Sequence, residues 1–275
     1  MSDATAALLR ARFGRDTGTT EPPAALTPFL DRRVQRRYRD EDVPDALLDA
    51  LLAAAQSAPS KSDLQQYSVV VMRDRARIQR IADWIGSMPW IASAPVFLVW
   101  CGDMRRGQRL CAMHGMTHAN NNLDTFLNTA VDCTLAMGNF IAAAEAVGLG
   151  TCPISYVRSH IERVTPLLGL PEGVFPVAGL TLGWPEGRRP TAMRLPPEVV
   201  VHRERYDDSR MEAAVRDYDA RRHAREPVAL GSQKNRDVHP PREGVGWSEN
   251  TARQLSVPER FGFAAYLKTR GFDLA

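Results

Sequence analysis

Residues 148–155 read GLGTCPIS and follow a long segment of apolar and small residues, 128–147. The apolar side chains along this segment recur at roughly helical spacing, which predicts a mostly buried helix. They are Leu127, Val131, Leu135, Ile141 and Val147. Gly148 and Gly150 allow a left-handed C-cap and a tight exit from this helix. Residues 151–154 would then form a short buried strand that brings bare backbone to whatever binds beside it. By itself, the stretch is also typical of a core helix that ends in a glycine turn.

The remaining secondary structure indicates an α+β fold. Apolar, mainly β-branched runs predict strands at 68–72, 96–101 and 175–182. Helical patterns cover residues 44–56, 75–85, 159–168, 211–226 and 257–272, and the polar segment 103–118 is expected to be a loop or lid. Because strands and helices do not alternate regularly, a doubly wound parallel sheet is not expected.

Three segments are predicted along the chain. Residues 1–30 carry a short helical pattern and a linker rich in Gly, Thr and Pro, so they form an N-terminal arm. Residues 31–220 form the main domain. Residues 221–275 form a C-terminal extension that is not an independent domain.

Composition excludes several classes of protein. The chain has 275 residues and a formal net charge of +3, which is too small to indicate a nucleic-acid or membrane partner. No apolar run reaches the length of a membrane span, and the N-terminus lacks the pattern of a signal peptide. The four cysteines lack the paired spacing of a zinc ribbon or a CxxC motif, so we expect reduced thiols in a cytoplasmic protein.

A basic segment near the N-terminus, residues 32–40, reads RRVQRRYRD. Guanidinium groups match phosphate oxygens bidentately and stay charged at any working pH, so these arginines are candidates for a phosphate site. A solvated basic face or a nucleic-acid patch has the same composition, although no aromatic stacking platform accompanies this one. Cys111, His114 and His118 are metal-capable at near-helical spacing, but nothing near them in the sequence completes a ligand set, and no metal site is predicted.

Two further motifs join the stretches at residues 148–155 and 32–40. Residues 57–68 read SAPSKSDLQQYS, and residues 182–185 read LGWP, with RLP following at 194–196. In order and content, the four motifs resemble the FMN-dependent nitroreductase superfamily, in particular its NADPH nitroreductase and flavin reductase branch. The resemblance covers about residues 32–206. It implies a mostly antiparallel central sheet flanked by helices, in an intertwined homodimer with flavin sites at the interface.

The resemblance also assigns candidate residues for FMN, residue by residue, within the main domain. Arg32, Arg33 and Arg36 fall on the phosphate-binding positions, with Arg194 closing the site and Val34 standing where the family usually has serine. Ser60 and Ser62 would lie beside the phosphate and ribityl chain, and Gln65 near the ring. The backbone of Pro153, Ile154, Ser155 and Tyr156 would face the isoalloxazine ring. For the NADPH 2′-phosphate, the C-terminal segment offers Lys234, Arg236 and Arg242.

The function implied is hydride transfer from NADPH, or NADH, to an electron-poor acceptor such as a nitroaromatic, a quinone or free flavin. One shared face of the flavin predicts ping-pong kinetics, and no catalytic acid or base is expected. Small molecules and a second copy of the chain are then its partners. Val34, Met88, Ser155 and Tyr156 depart from the family pattern, so a flavin storage or sensor protein without turnover is an alternative. A reductive dehalogenase of the same superfamily is another.

Overall fold

The computed structural model describes residues 2–16, 23–187 and 189–275. Its helices are α1 (Ser2–Phe13), α2 (Thr27–Leu30), α3 (Asp45–Gln56), α4 (Arg75–Ile85), α5 (Arg105–Met113), α6 (Leu123–Ala146), α7 (Ile161–Leu168), α8 (Pro197–Val200), α9 (Met211–Arg225), α10 (Trp247–Leu255) and α11 (Phe263–Thr269). Its strands are β1 (Tyr67–Met72), β2 (Val96–Asp103), β3 (Gly150–Ile154) and β4 (Val174–Gly183).

The four strands form one antiparallel sheet in the order β1-β2-β4-β3. β2 is buried along its whole length, and its side chains alternate between two apolar layers, as the period of a strand requires. On one face, Leu98 and Trp100 pack in a cluster with Phe140 of α6. On the other, Phe97 and Val99 pack in a cluster with α4 and α7 side chains. The predicted α+β fold, with helices on both faces of an antiparallel sheet, is confirmed.

Helix α6 corrects one expectation. It begins at Leu123, five residues before the predicted segment, and four of the five apolar residues that predicted a buried face are exposed: Leu127, Val131, Leu135 and Val147. The side that packs against the sheet instead carries smaller and polar residues, among them Asp132, Cys133 and Ala136. The helix has two sides able to pack, and periodicity does not say which one faces the sheet of the same chain.

The glycines after α6 serve two different purposes. Gly148 has φ of +87°, a conformation that favours glycine, and it follows the C-cap residue as predicted. Gly150 does not make a tight turn, because it is an extended residue of β3. A Cβ atom there would lie 2.6 Å from Cγ of Gln35, so glycine is required by the close approach of that side chain.

Two other expectations were wrong. Residues 105–113 of the predicted lid form α5, whose start is supported by the Asp103 carboxylate, which accepts the Arg106 N–H at 3.0 Å. No described residue of α5 is buried, and its first five residues, RRGQR, are polar or glycine, which is why the segment was predicted to be a loop. The predicted terminal helix 257–272 is shortened to α11, because the chain turns before it at Arg260, where φ is 56°.

The chain divides into two compact units. One consists of Arg32–Arg189 and Arg260–Ala275 and contains the sheet. The other consists of Met1–Asp31, as far as it is described, and Pro190–Glu259. The arm, main domain and extension predicted from the sequence remain a prediction. Within the described chain, no helix combines the length and apolar character that a membrane crossing requires.

Candidate functional site

The arginine segment runs beside β3. Val34 forms a parallel bridge with Thr151, and the Gln35 N–H donates to the Thr151 carbonyl at 2.8 Å. The Gln35 side chain is buried and fills the space that the missing Cβ of Gly150 leaves. Backbone pairing and a glycine therefore fix the arginines against the strand that carries residues 153 and 154.

A group of positive charges gathers around Cys152. Arg36, Arg32 and Arg189 all act on the Cys152 thiol through their charges, and the effect of Arg36 is the largest. Burial raises the pKa of Cys152 more than these cations lower it. The thiol therefore stays neutral and does not neutralise the positive charge of the arginines. Arg32 also lies 3.6 Å from the Glu145 carboxylate of α6, which fixes its orientation. Arg33 is half-buried in the same segment.

The end of β3 and the two residues after it, 153–156, are the predicted ring-facing segment. Ile154 is buried, whereas Pro153, Ser155 and Tyr156 are exposed. Arg260 covers this segment: its guanidinium donates to Ser155 Oγ at 3.3 Å and lies 5.9 Å from the centre of the Tyr156 ring. Sequence analysis missed Arg260, since nothing in the sequence pairs it with a strand about a hundred residues earlier.

The segment of residues 60–66, which we call the serine loop, holds the other candidates. Ser62, Asp63 and Gln65 have φ of 51°, 57° and 49°, a region that residues with a Cβ rarely adopt. The Ser60 hydroxyl donates to the Asp132 carboxylate of α6 at 2.8 Å and accepts the Gln65 N–H at 2.7 Å. Asp132 was not predicted, although an acidic residue among the small and apolar residues of a buried helix is a visible signal.

One chain does not bring all the candidates together. The arginine segment and residues 153–156 lie at the β3 edge of the sheet, whereas the serine loop leads into β1 at the other edge. Three strand spacings separate the two edges, roughly 14 Å. The candidates thus form two groups, one at each edge.

The remaining candidates belong to the second unit. Arg194 is exposed and lines a cavity of about 450 Å³ together with Tyr218 and Trp247. Lys234 and Arg236 are exposed as well. Arg242 is paired with the Glu249 carboxylate at 2.5 Å, which offsets much of its positive charge.

The donors present fit a flavin mononucleotide. Its phosphate matches the guanidinium groups of Arg32 and Arg36, and its polar ring edge needs hydrogen-bonding partners. At the serine loop, Gln66 Nε2 is buried without a hydrogen-bond partner among the residues that the structure describes, a state that polar atoms rarely keep. Gln66 is a second candidate that sequence analysis missed. Among those residues, no group of three His, Cys, Asp or Glu side chains could hold a metal ion.

Comparison with known proteins identifies the family. The model of the Nitroreductase family matches residues 30–184, and that of the Nitroreductase family C-terminal domain matches residues 193–275. An FMN reductase [NAD(P)H] from Bacillus subtilis is 41% identical over 183 residues, covering 66% of this chain and 74% of that relative. An oxygen-insensitive NADPH nitroreductase from Salmonella typhimurium is 34% identical over 239 residues, covering 86% and 93%.

Solved structures agree. NfrA2 from B. megaterium superimposes with a TM-score of 0.83 at 30% identity, covering 92% of this chain and all of that one. The NADPH:FMN oxidoreductase from Vibrio harveyi, solved with NAD+, gives 0.77 at 27% identity, covering 90% and 97%. The predicted family and fold are both confirmed. The chain belongs to the nitroreductase family of oxidoreductases.

Proposed function

We propose that this protein is an FMN-dependent reductase that oxidises NADPH, or NADH, and passes the hydride to an electron-poor acceptor. Nitroaromatics, quinones and free flavin are the acceptor classes expected. The observation that carries the proposal is the arginine group fixed against β3, because its cations could bind a phosphate beside the segment that would face the flavin ring. Relatives named as an FMN reductase and an NADPH nitroreductase support the choice of cofactor and coenzyme.

The protein residues bind and orient rather than react. When bound, FMN supplies the hydride chemistry through its isoalloxazine ring. Arg32, Arg33 and Arg36 would hold the phosphate with charge-assisted hydrogen bonds, and Arg194 is proposed to close that site. The Val34 side chain has no hydroxyl to donate, but the segment's backbone is fixed by the Gln35 N–H.

The rest of the pocket would surround the ribityl chain and the ring. Ser60, Ser62 and Gln65 provide hydroxyl and amide groups, and residues 153–156 provide backbone. Coenzyme and acceptor would share one open face, so each must leave before the other binds. Parallel initial-rate lines are therefore expected, and intersecting lines would contradict the ping-pong order.

Lys234 and Arg236 are proposed to bind the 2′-phosphate of NADPH. Both are exposed lysine or arginine side chains, whereas the neighbouring Arg242 is paired with Glu249. We expect the double variant Lys234→Ala/Arg236→Ala to raise the KM for NADPH and leave the KM for NADH unchanged. An unchanged KM for NADPH would remove these residues from the proposal.

We propose a homodimer as the working form. The exposed side of α6 carries an apolar stripe one turn apart along the helix, Leu123, Leu127, Val131 and Leu135, and such a stripe favours burial against a partner. A second copy would also bring the two groups of candidates together. The β3 edge of one chain could then face the β1 edge of the other. A cytoplasmic location is proposed as well, supported by four free thiols.

An absorbance spectrum of the purified protein, taken before and after anaerobic addition of NADPH, tests the central proposal. A flavin spectrum that bleaches would support both the cofactor and the hydride transfer. A flavin that does not bleach would favour storage or sensing instead. A colourless protein that fails to take up added FMN would overturn the proposal.

A further inference from the structure

Asp132 is a buried carboxylate to which no role has been given so far. It lies on the sheet-facing side of α6 with 1% of its surface exposed. A buried charge is costly unless hydrogen bonds satisfy it, and three donors do so here. They are the Ser60 hydroxyl at 2.8 Å, the Lys61 N–H at 2.9 Å and the Gln66 N–H at 3.0 Å.

These three donors lie at the two ends of the serine loop. Ser60 and Lys61 precede its left-handed residues, and Gln66 follows them. Oδ2 of Asp132 accepts from both Ser60 and Gln66, so a single oxygen atom ties the beginning of the loop to its end. The loop between them is exposed.

The conformation of this loop needs outside support. Three residues with a Cβ take positive φ within four positions, and each is disfavoured by steric contact with its own backbone. Such conformations persist where the surroundings over-determine them, and they cluster at binding sites. The buried Asp132 carboxylate is the group of the rigid scaffold that contacts the loop on both sides of the strain.

We propose that Asp132 is a positioning residue, which holds the serine loop in the shape that binds FMN. It presents Ser60, Ser62 and Gln65 without itself needing to contact the cofactor. The proposal rests on the proposed function for the identity of the ligand, but not for the state of the loop.

The test compares Asp132→Asn with Asp124→Asn in the full chain. Asn keeps the shape of Asp132 but turns an NH2 group toward three donors, so at least one hydrogen bond is lost. Asp124 is exposed on the same helix, and its carboxylate accepts from the Asn128 side-chain amide at 2.8 Å, so it controls for the loss of a charge from α6.

Three measurements are made, the first two on flavin-free protein and the third at saturating FMN. FMN affinity is taken from the quenching of flavin fluorescence, and the exchange of backbone amide hydrogens is followed over residues 60–66. We expect Asp132→Asn to bind FMN about 10- to 100-fold more weakly and to exchange faster across the loop. At saturating FMN, the KM for NADPH should not change. Asp124→Asn should resemble the wild type in all three.

A second variant covers the case in which Asp132→Asn does not fold. Lys61→Pro removes one N–H donor and leaves the carboxylate in place. Ser60 before it is extended, with φ of −133° and ψ of 146°, which a following proline tolerates. FMN binding about tenfold weaker is expected.

Three results would overturn the inference: wild-type FMN affinity in Asp132→Asn, unchanged exchange over residues 60–66, or an equal loss in Asp124→Asn. A wild-type protein that binds no FMN would overturn the proposed function instead. Faster exchange in Asp132→Asn would then still support the control of the loop by Asp132.

Discussion

The two edges of the sheet hold their candidate residues in different ways. At the β3 edge, a regular strand pairs with the arginine segment through backbone contacts. At the β1 edge, an irregular loop with three left-handed residues is tied down by a buried carboxylate. Both edges depend on α6, because Glu145 accepts from Thr151 beside the arginines and Asp132 accepts from the loop.

This difference shows two ways in which one sheet can hold candidate side chains in place. The regular edge supplies fixed charge, and the irregular edge supplies hydroxyl and amide groups in an unusual conformation. A single long helix sets the position of both.

The largest effect is expected from the apolar stripe of α6. Leu127 and Leu135 are 55% and 40% exposed, and burying a leucine side chain contributes about 1.5–3 kcal/mol. In a two-fold symmetric dimer each substitution occurs twice at the interface, so its cost to dimer stability is doubled. We expect Leu127→Glu/Leu135→Glu to be a monomer at micromolar concentration in sedimentation, with FMN binding lost.

Leu110→Glu serves as the control, since Leu110 is 49% exposed on α5 and lies outside the stripe. It should remain a dimer that binds FMN. If the wild type is a monomer that nevertheless binds FMN, the two edges do not need a second chain.

A smaller effect is expected at the β3 edge itself. Each charge-assisted hydrogen bond contributes about 1.5–3 kcal/mol, so Arg32→Ala/Arg36→Ala should weaken FMN binding by about a hundredfold or more. Affinity for riboflavin, which has no phosphate, should change little. Arg37→Ala is the matched control, because Arg37 is 73% exposed and lies 3.7 Å from Glu186. An equal loss for riboflavin would show that these arginines do not bind the phosphate.

The smallest effect tests the backbone fit of the same edge. A Cβ at Gly150 would lie 2.6 Å from Gln35 Cγ, and such overpacking costs about 1–3 kcal/mol. Gly150→Ala should lower the free energy of unfolding in urea by that amount. Gly262 has φ of −73°, and a Cβ there would meet open space. Gly262→Ala should therefore leave the free energy of unfolding almost unchanged. Equal stability of the two variants would mean that the arginine segment can move away from β3 at little cost.

Much of the fold could be predicted from local signals. α4 has the predicted bounds, because an apolar stripe follows Asp74, whose carboxylate accepts the Ala76 N–H at 2.9 Å. The strands were found to within two residues because their apolar runs are dense. α5 was missed, because the polar residues of its first half favoured a loop.

Fewer of the residues around the candidate site could be predicted from the sequence. The arginine segment was found because it is a compact run of basic residues, and the serine loop because its motif resembles that of the family. Arg260 and Gln66 were not found, since a contact between distant segments and an unpaired buried amide have no local pattern.

The sequence by itself determined the family, through four motifs in order. It also determined the strands and the cationic character of residues 32–39, since each of these depends on neighbouring residues. Only the tertiary structure decided which side of α6 is buried, because both sides can pack and the sheet selects one. It also decided that the two groups of candidates lie at opposite edges, because strand order follows from pairing between distant segments. For the same reason, only the folded chain shows that Asp132 reaches the serine loop.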